Sequence, residues 1–177
     1  MTGLDELKKY LKPSYLYLYA SAGFMLIGLF GAAASGNVLI LLFLGGVAVL
    51  NSLSTIKEIN NLSETIKRFT DNGSIERIIE EFKQARSFAG GNLRLGHTHI
   101  FGKKSAAILE YKDIAKAYQY IHKTNFAEDR RELRVETQDG KVFSLCKLEL
   151  RGKADASVMT ILKEMLSQNP GIKIGYK

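Results

Sequence analysis

PSYLYLYASAGFMLIGLFGAAASGNVLILLFLGGVAVLNSLSTI, residues 13–56, contains no Asp, Glu, Lys, Arg or His. About 20 helical residues cross the hydrocarbon core of a bilayer. Forty-four uncharged residues are too many for one span and suit two spans joined by a tight turn. Ala34-Ser35-Gly36-Asn37 supplies the turn. The stretch reads as a transmembrane helical hairpin, with spans over about 14–33 and 38–56. Val38 to Leu50 holds ten Leu, Ile, Val or Phe residues. At roughly −0.3 to −0.6 kcal/mol each near the bilayer centre, they favour insertion by several kcal/mol. Asn37 is placed to cap the second span.

Tyr15, Tyr17 and Tyr19, beside Tyr10, suit an interfacial belt, because a tyrosine has an apolar ring and a hydroxyl that prefers water. Gly28 and Ala32 form a small-xxx-small pair on the first span, and Gly45 and Gly46 lie on the second. Small residues let helix backbones approach closely in lipid, so these four are candidate helix-packing residues. A competing reading is a secretory signal with cleavage near Ala32-Ala33-Ala34-Ser35. Its apolar region is too long, and cleavage would leave three residues before the next span. No charge interrupts the spans, and an intramembrane charge is the usual mark of a transport path.

Orientation follows from Lys and Arg. The turn has none, whereas Lys8, Lys9 and Lys12 precede the hairpin and Lys57, Lys67 and Arg68 follow it. Both termini are therefore expected on the cytoplasmic side of a cytoplasmic membrane. One cysteine, Cys146, excludes an intrachain disulfide and suits a reducing compartment. Of the net charge of +7, +6 lies in residues 89–177.

Outward from the hairpin, residues 1–12 read as a short amphipathic cytoplasmic tail, with Leu4, Leu7 and Leu11 on one face. Its lysines either set topology or touch anionic headgroups. After the second span the helix continues: Ile56, Ile59, Leu62, Ile66 and Phe69 keep a helical period until Asp71-Asn72-Gly73 stops it. Ser74 is placed to cap a second helix with Ile75, Ile78, Ile79, Phe82 and Ala85 on one face. Residues 57–88 thus read as a helical stalk whose apolar faces close on each other or on a second chain.

From Gly90-Gly91 the period turns strand-like. Segments 97–101, 106–111, 114–121, 132–137 and 141–148 read as strands. Asp139-Gly140 favours a two-residue hairpin turn, with Thr137 opposite Val142, Val135 opposite Ser144 and Leu133 opposite Cys146. That register makes Cys146 a small core residue. The last helix carries Val158, Ile161, Leu162, Met165 and Leu166 at i, i+3, i+4, i+7 and i+8. Asp155 is placed to start it, Asn169-Pro170-Gly171 ends it, and 172–174 can add one more extended segment.

Leu93-Arg94-Leu95-Gly96, Ile100-Phe101-Gly102, Ile108-Leu109-Glu110-Tyr111-Lys112-Asp113-Ile114 and the 133–146 hairpin, followed by one amphipathic helix, form a pattern similar to pleckstrin-homology (PH)-like domains. With its two spans, the chain resembles small uncharacterised bacterial membrane proteins that place such a domain after a hairpin. The resemblance covers 89–177 and the layout. It implies an α+β chain: a transmembrane hairpin, a helical stalk, then a PH-like antiparallel β domain closed by a C-terminal helix. Such domains bind proteins or membranes more often than they catalyse.

The sequence carries few signatures of chemistry. Gly102-Lys103-Lys104 lacks the rest of a phosphate loop, and neither CxxC, HExxH nor GxSxG is present. His97 and His99 share a strand face, and His122 is a conceivable third metal ligand. No enzyme activity, cofactor or metal is expected, and no basic stripe with presented aromatics points to nucleic acid. The basic surplus is the clue that remains. Arg94, Lys103, Lys104, Lys112 and Lys116 are the candidate residues facing lipid or a partner, within a surplus that also includes Lys123, Arg130 and Arg131. A tethered domain lies within reach of anionic lipid, where each cation contributes about 1 kcal/mol. The expectation is a membrane-anchored module that binds a protein or peptide at the inner face. The alternatives are an anionic-headgroup sensor or an accessory subunit of a transport or secretion assembly. The expected partners are the lipid bilayer and a protein, with anionic lipid headgroups as an alternative; a homo-oligomer is compatible with the layout.

Overall fold

The computed structural model describes residues 2–12, 15–125, 127–148 and 154–176; of residues 16, 17, 51, 54, 154–157 and 176 it describes the backbone alone. Pro13 and Ser14, where the first span was expected to begin, lie outside the described residues, as does the side chain of Tyr17. The chain is α+β and divides into two compact units, residues 13–61 and residues 1–12 with 62–177.

The smaller unit is an apolar helix pair. Helix α2 spans Leu16–Ser35, and α3 spans Val38–Asp71, its last turns belonging to the other unit. Gly36, at φ 66°, ends α2 in the left-handed conformation that glycine adopts without a Cβ penalty. The Oδ1 of Asn37 accepts from the Leu39 amide at 3.0 Å, so Asn37 caps α3 as its position predicts. Both helices are long and apolar enough to cross a membrane, yet only 11% and 12% of the apolar stretches are buried. The core helix of a soluble protein would be mostly covered. Among the described residues, every exposed large apolar side chain except Val142 and Met159 lies between Tyr19 and Ile56.

The larger unit begins with α1, Gly3–Leu11. A capping box starts it: Thr2 accepts from the Asp5 amide, and the Asp5 carboxylate accepts from the Thr2 amide. The segment expected as an amphipathic tail is therefore part of the folded unit. Leu7 and Leu11 have no exposed surface and pack beside α4, Ile75–Gln84, rather than facing solvent or headgroups. The C-terminus of α3 closes as a Schellman motif, with the Ser74 amide on the Phe69 carbonyl, the Gly73 amide on Thr70 and Gly73 at φ 69°. Ser74 does not cap α4. Its hydroxyl donates to Asn72 Oδ1 at 2.5 Å, having been turned into the preceding loop.

Two four-stranded sheets follow. The first comprises β1 (Arg86–Phe88), β2 (Leu93–Leu95), β3 (His99–Gly102) and β4 (Ala107–Glu110), antiparallel and in that order. The second has the order β7 (Val142–Leu148), β6 (Ala127–Thr137), β5 (Ile114–Thr124), β8 (Lys173–Tyr176). Strand β8, the expected extra segment, pairs with β5 in parallel. Strand β1 lies within the stretch assigned to the stalk, so the strand-rich part starts at Arg86, not residue 89.

Helix α5, Ala154–Gln168, buries Val158, Ile161, Leu162 and Met165 against residues of both sheets, among them Leu95, Ile100, Leu133 and Val135. Asp155 lies within its first turn, and its side chain is outside those described. The Asn169 amide group donates to the Tyr111 carbonyl at 2.8 Å, fixing the helix end to the first sheet's last turn.

A second core lies on the other side of β3 and β4. It joins Leu7 and Leu11, Phe69, Ile78 and Phe82, and Phe101, Ala106 and Ile108. The apolar faces assigned to the stalk are thus closed by α1 and the first sheet, not by each other alone. Tyr10 belongs here too. Its ring lies 5.1 Å from Phe82 and its hydroxyl donates to the Phe101 carbonyl at 3.2 Å, which removes it from the interfacial belt.

The β6–β7 register departs from expectation near the turn. Leu133 is opposite Cys146, as expected, but Val135 is opposite Phe143 and Glu136 opposite Val142. The Thr137 amide bonds the Lys141 carbonyl, the Gly140 amide bonds the Thr137 carbonyl, and Gly140 sits at φ 79°. This is a three-residue loop with glycine in the left-handed position, not a two-residue turn. A bulge between Leu133 and Arg134 absorbs the slip and leaves Leu145 as the extra residue. Leu145 and Cys146 are both fully buried in consequence.

Candidate functional site

The outer face of the second sheet carries a buried carboxylate ringed by cations. Alternation along β6 sends Leu133 and Val135 into the core and Arg130, Glu132 and Arg134 to the opposite face. Yet Glu132 has no exposed surface. Its carboxylate accepts from Arg134 Nε at 2.9 Å, from Ser144 Oγ at 2.9 Å and from the Lys104 ammonium, with Arg130 Nε at 3.2 Å. Lys147 is its cross-strand neighbour on β7. Burial alone would raise the Glu132 carboxyl, but the hydrogen bonds from Lys104, Ser144 and Arg134 override it and hold it at about 2. The Arg134 guanidinium also stacks 3.6 Å from the Tyr120 ring, which fixes its plane.

Of the five basic residues expected to face lipid or a partner, Lys104 alone joins this cluster. Its neighbour Lys103 is exposed on the same β3–β4 turn. Arg94 does not face solvent freely. Its guanidinium lies 4.4 Å from the Phe82 ring and 5.2 Å from Tyr10, and donates to the Phe82 carbonyl at 3.2 Å. It braces α4 and α1 against β2. Lys112 pairs with Glu110 at 2.6 Å. Lys116 lies 5.4 Å from the Tyr118 ring and pairs in register with Lys173. Lys112 and Lys173 share the rim of a shallow hollow of about 520 Å³ lined by Gln138, Asn169 and Gly171. Lys147 belongs to neither those five nor the wider surplus; of the other two basic members, Arg130 belongs to the surplus alone and Arg134 to neither. The signal that identifies the two arginines is the spacing Arg130-x-Glu132-x-Arg134, which puts three charges on one strand face.

The histidines separate. His99 Nδ1 lies 2.7 Å from Glu81 Oε2, and its ring meets Phe69 edge-on at 5.8 Å. The other Glu81 oxygen accepts from the Thr98 and His99 amides. Burial would raise the Glu81 carboxyl, but the bonds from His99 and these amides leave it below the ordinary value. Glu81 therefore pins the β2–β3 turn to α4. His122 pairs instead with Asp129 at 2.7 Å, and His97 lines a cleft of about 490 Å³ with Arg77, Glu80, Glu81, Arg86 and Glu164. Arg86 and Glu164 bridge this cleft at 3.0 Å. Among the described residues, no group of three His, Cys, Asp or Glu is placed to hold a metal. Cys146 is buried and its thiol is pushed up to about 12, chiefly by burial, which makes it a poor nucleophile.

Within the apolar helix pair, the four small residues divide. A Cβ at Gly28 would lie 3.3 Å from Leu44 Cβ and 3.5 Å from Leu41 Cα, so α2 and α3 approach closely there. A Cβ at Gly45 would meet only the Met25 sulfur, at 3.6 Å, and one at Gly46 would meet nothing within 4 Å. Ala32 is half-buried one turn beyond Gly28. Gly31, whose Cβ would come 3.3 Å from Ile40, extends the contact.

No protein-family model, curated protein sequence or solved structure matches this chain.

Proposed function

We propose that this chain is a membrane-anchored interaction module without enzymatic activity. The apolar helix pair inserts as a hairpin, both termini lie on the cytoplasmic side, and the α+β unit presents its binding surfaces at the inner face. One observation carries the anchoring: the exposed large apolar side chains are concentrated between Tyr19 and Ile56, on helices with no charge over that length. A PH-like architecture is supported by two four-stranded sheets with α5 packed against both. Strand β8 pairs with β5 on one side and has no strand partner on the other among the described residues. Such an edge suits an extended peptide that adds a strand.

Alkaline carbonate extraction tests the anchor: the chain stays in the membrane pellet, and release into the supernatant contradicts insertion. A photo-crosslinking residue in place of Lys173, exposed on β8, tests the partner. A reproducible protein adduct in native membranes is expected; lipid adducts alone would reject a protein ligand. A second reading, an anionic-headgroup sensor, is favoured by the excess of cations around Glu132.

A further inference from the structure

We infer that the Glu132 cluster is a binding site for a phosphate group carried as a dianion, either a phosphate monoester or free phosphate. The link to lipid rests on the second reading above, but the site does not depend on it.

Four cations, Lys104, Arg130, Arg134 and Lys147, surround one carboxylate. Glu132 neutralises one of them and leaves an excess of three. Like charges so close repel, and the arrangement persists because each of three heads is tied to the same buried carboxylate. The ties leave donors free. Arg130 uses Nε, and its side chain is 45% exposed. Lys104 and Arg134 are 28% and 24% exposed. Arg134 is held twice, by the carboxylate and by the Tyr120 ring, so little side-chain freedom remains to be lost on binding.

The turn that carries Lys104 is fixed as well. The Lys104 amide donates to the Leu145 carbonyl at 3.2 Å, and the Ser105 hydroxyl to the Ser144 carbonyl at 2.6 Å. The acids nearby do not satisfy the excess. Asp129 is engaged by His122 and Thr124, and Glu128 by Arg131. Glu136, two residues beyond Arg134 on the same strand face, has Lys116 of β5 as its cross-strand neighbour, a cation outside the four.

Guanidinium forks match the spacing of phosphate oxygens, and an ammonium adds a point charge without a directional demand. A dianion offsets two of the three surplus charges, where a carboxylate offsets one. The arrangement therefore selects phosphate over a carboxylate side chain.

The test uses the full chain in neutral detergent at low ionic strength, titrated calorimetrically with inorganic phosphate. Saturable one-site binding is expected. Arg130→Gln should weaken it at least tenfold and Lys147→Gln severalfold, each with an unchanged melting profile. Lys123→Gln, at the far end of β5, should leave it unaltered. Short-chain phosphatidic acid identifies the source. Binding at least tenfold tighter than inorganic phosphate marks a lipid headgroup; equal binding marks soluble phosphate; both support the site. Three results would overturn it: no saturable binding, equal affinity for short-chain phosphatidylglycerol, which is anionic but a diester, or equal weakening by Lys123→Gln. None of these bears on insertion, which carbonate extraction reads separately.

Discussion

A carboxylate without exposed surface on the outer face of a sheet is costly unless its neighbours replace water, and Glu132 shows how that is done. Two arginines, a lysine and a serine hydroxyl do so. Glu132→Gln should destabilise the α+β unit by about 3 kcal/mol, because it leaves the cations facing one another without their shared counter-charge. Its carboxyl is depressed from 4.5 to about 2 on folding. The stabilisation is therefore complete above about pH 4.5 and is lost as pH falls toward 2. A urea titration across that range should show stability falling with pH in the native chain and a shallower fall in Glu132→Gln. Gly102 is a second sensitive position: a Cβ there would lie 2.8 Å from Leu145 Cδ2 and 3.1 Å from its Cα. Backbone cannot retreat as a flexible side chain does, so Gly102→Ala should cost about 1–3 kcal/mol in thermal or chemical unfolding. Cys146 was legible in the sequence as a core residue because the hairpin put it opposite Leu133. Arg94 was not. Between Leu93 and Leu95 it reads as an outward cation, and nothing local reveals that Phe82 and Tyr10, from two other elements, cover it.

At the scale of elements, the amphipathic faces of α1, α4 and α5 were written in the sequence, and their coverings were not. Periodicity identifies an apolar face but carries no information about which face closes it. The segments expected as a tail and a stalk instead meet across β3 and β4. Deleting residues 2–11 would uncover Ile78 and Phe82, and Phe82→Ala would remove the ring shared by Tyr10, Phe101 and Arg94. Phe82→Ala should cost about 3–5 kcal/mol, and loss of α1 should lower the melting temperature of the α+β unit while far-UV circular dichroism keeps its sheet signal. The β6–β7 turn was legible as a turn but not in its length, since Asp-Gly serves two-residue and three-residue loops alike and the Leu145 bulge restores the register afterwards. In the apolar pair, the sequence marks glycines without ranking them. Gly28→Leu should disrupt the packing of α2 on α3, whereas Gly46→Leu should be tolerated within the chain; cysteine crosslinking between the two helices would tell the two apart.

For the whole molecule, the division into an apolar pair and an α+β unit was legible from 44 uncharged residues beside a charged remainder. Among the described residues the apolar surfaces of α2 and α3 are largely uncovered, and the cover proposed for them is a bilayer. The native chain is suited to testing this, because Cys146 is its one cysteine and is buried, so an impermeant thiol reagent leaves it silent. The most direct measurement places single cysteines at Ala34, exposed at the end of α2, and at Lys123, exposed at the end of β5. Intact bacterial cells expressing each variant are then treated with a membrane-impermeant maleimide. The proposed insertion predicts labelling of Ala34→Cys in intact cells and of Lys123→Cys only after permeabilisation. Labelling of Lys123→Cys in intact cells, or of Ala34→Cys only after permeabilisation, would contradict it.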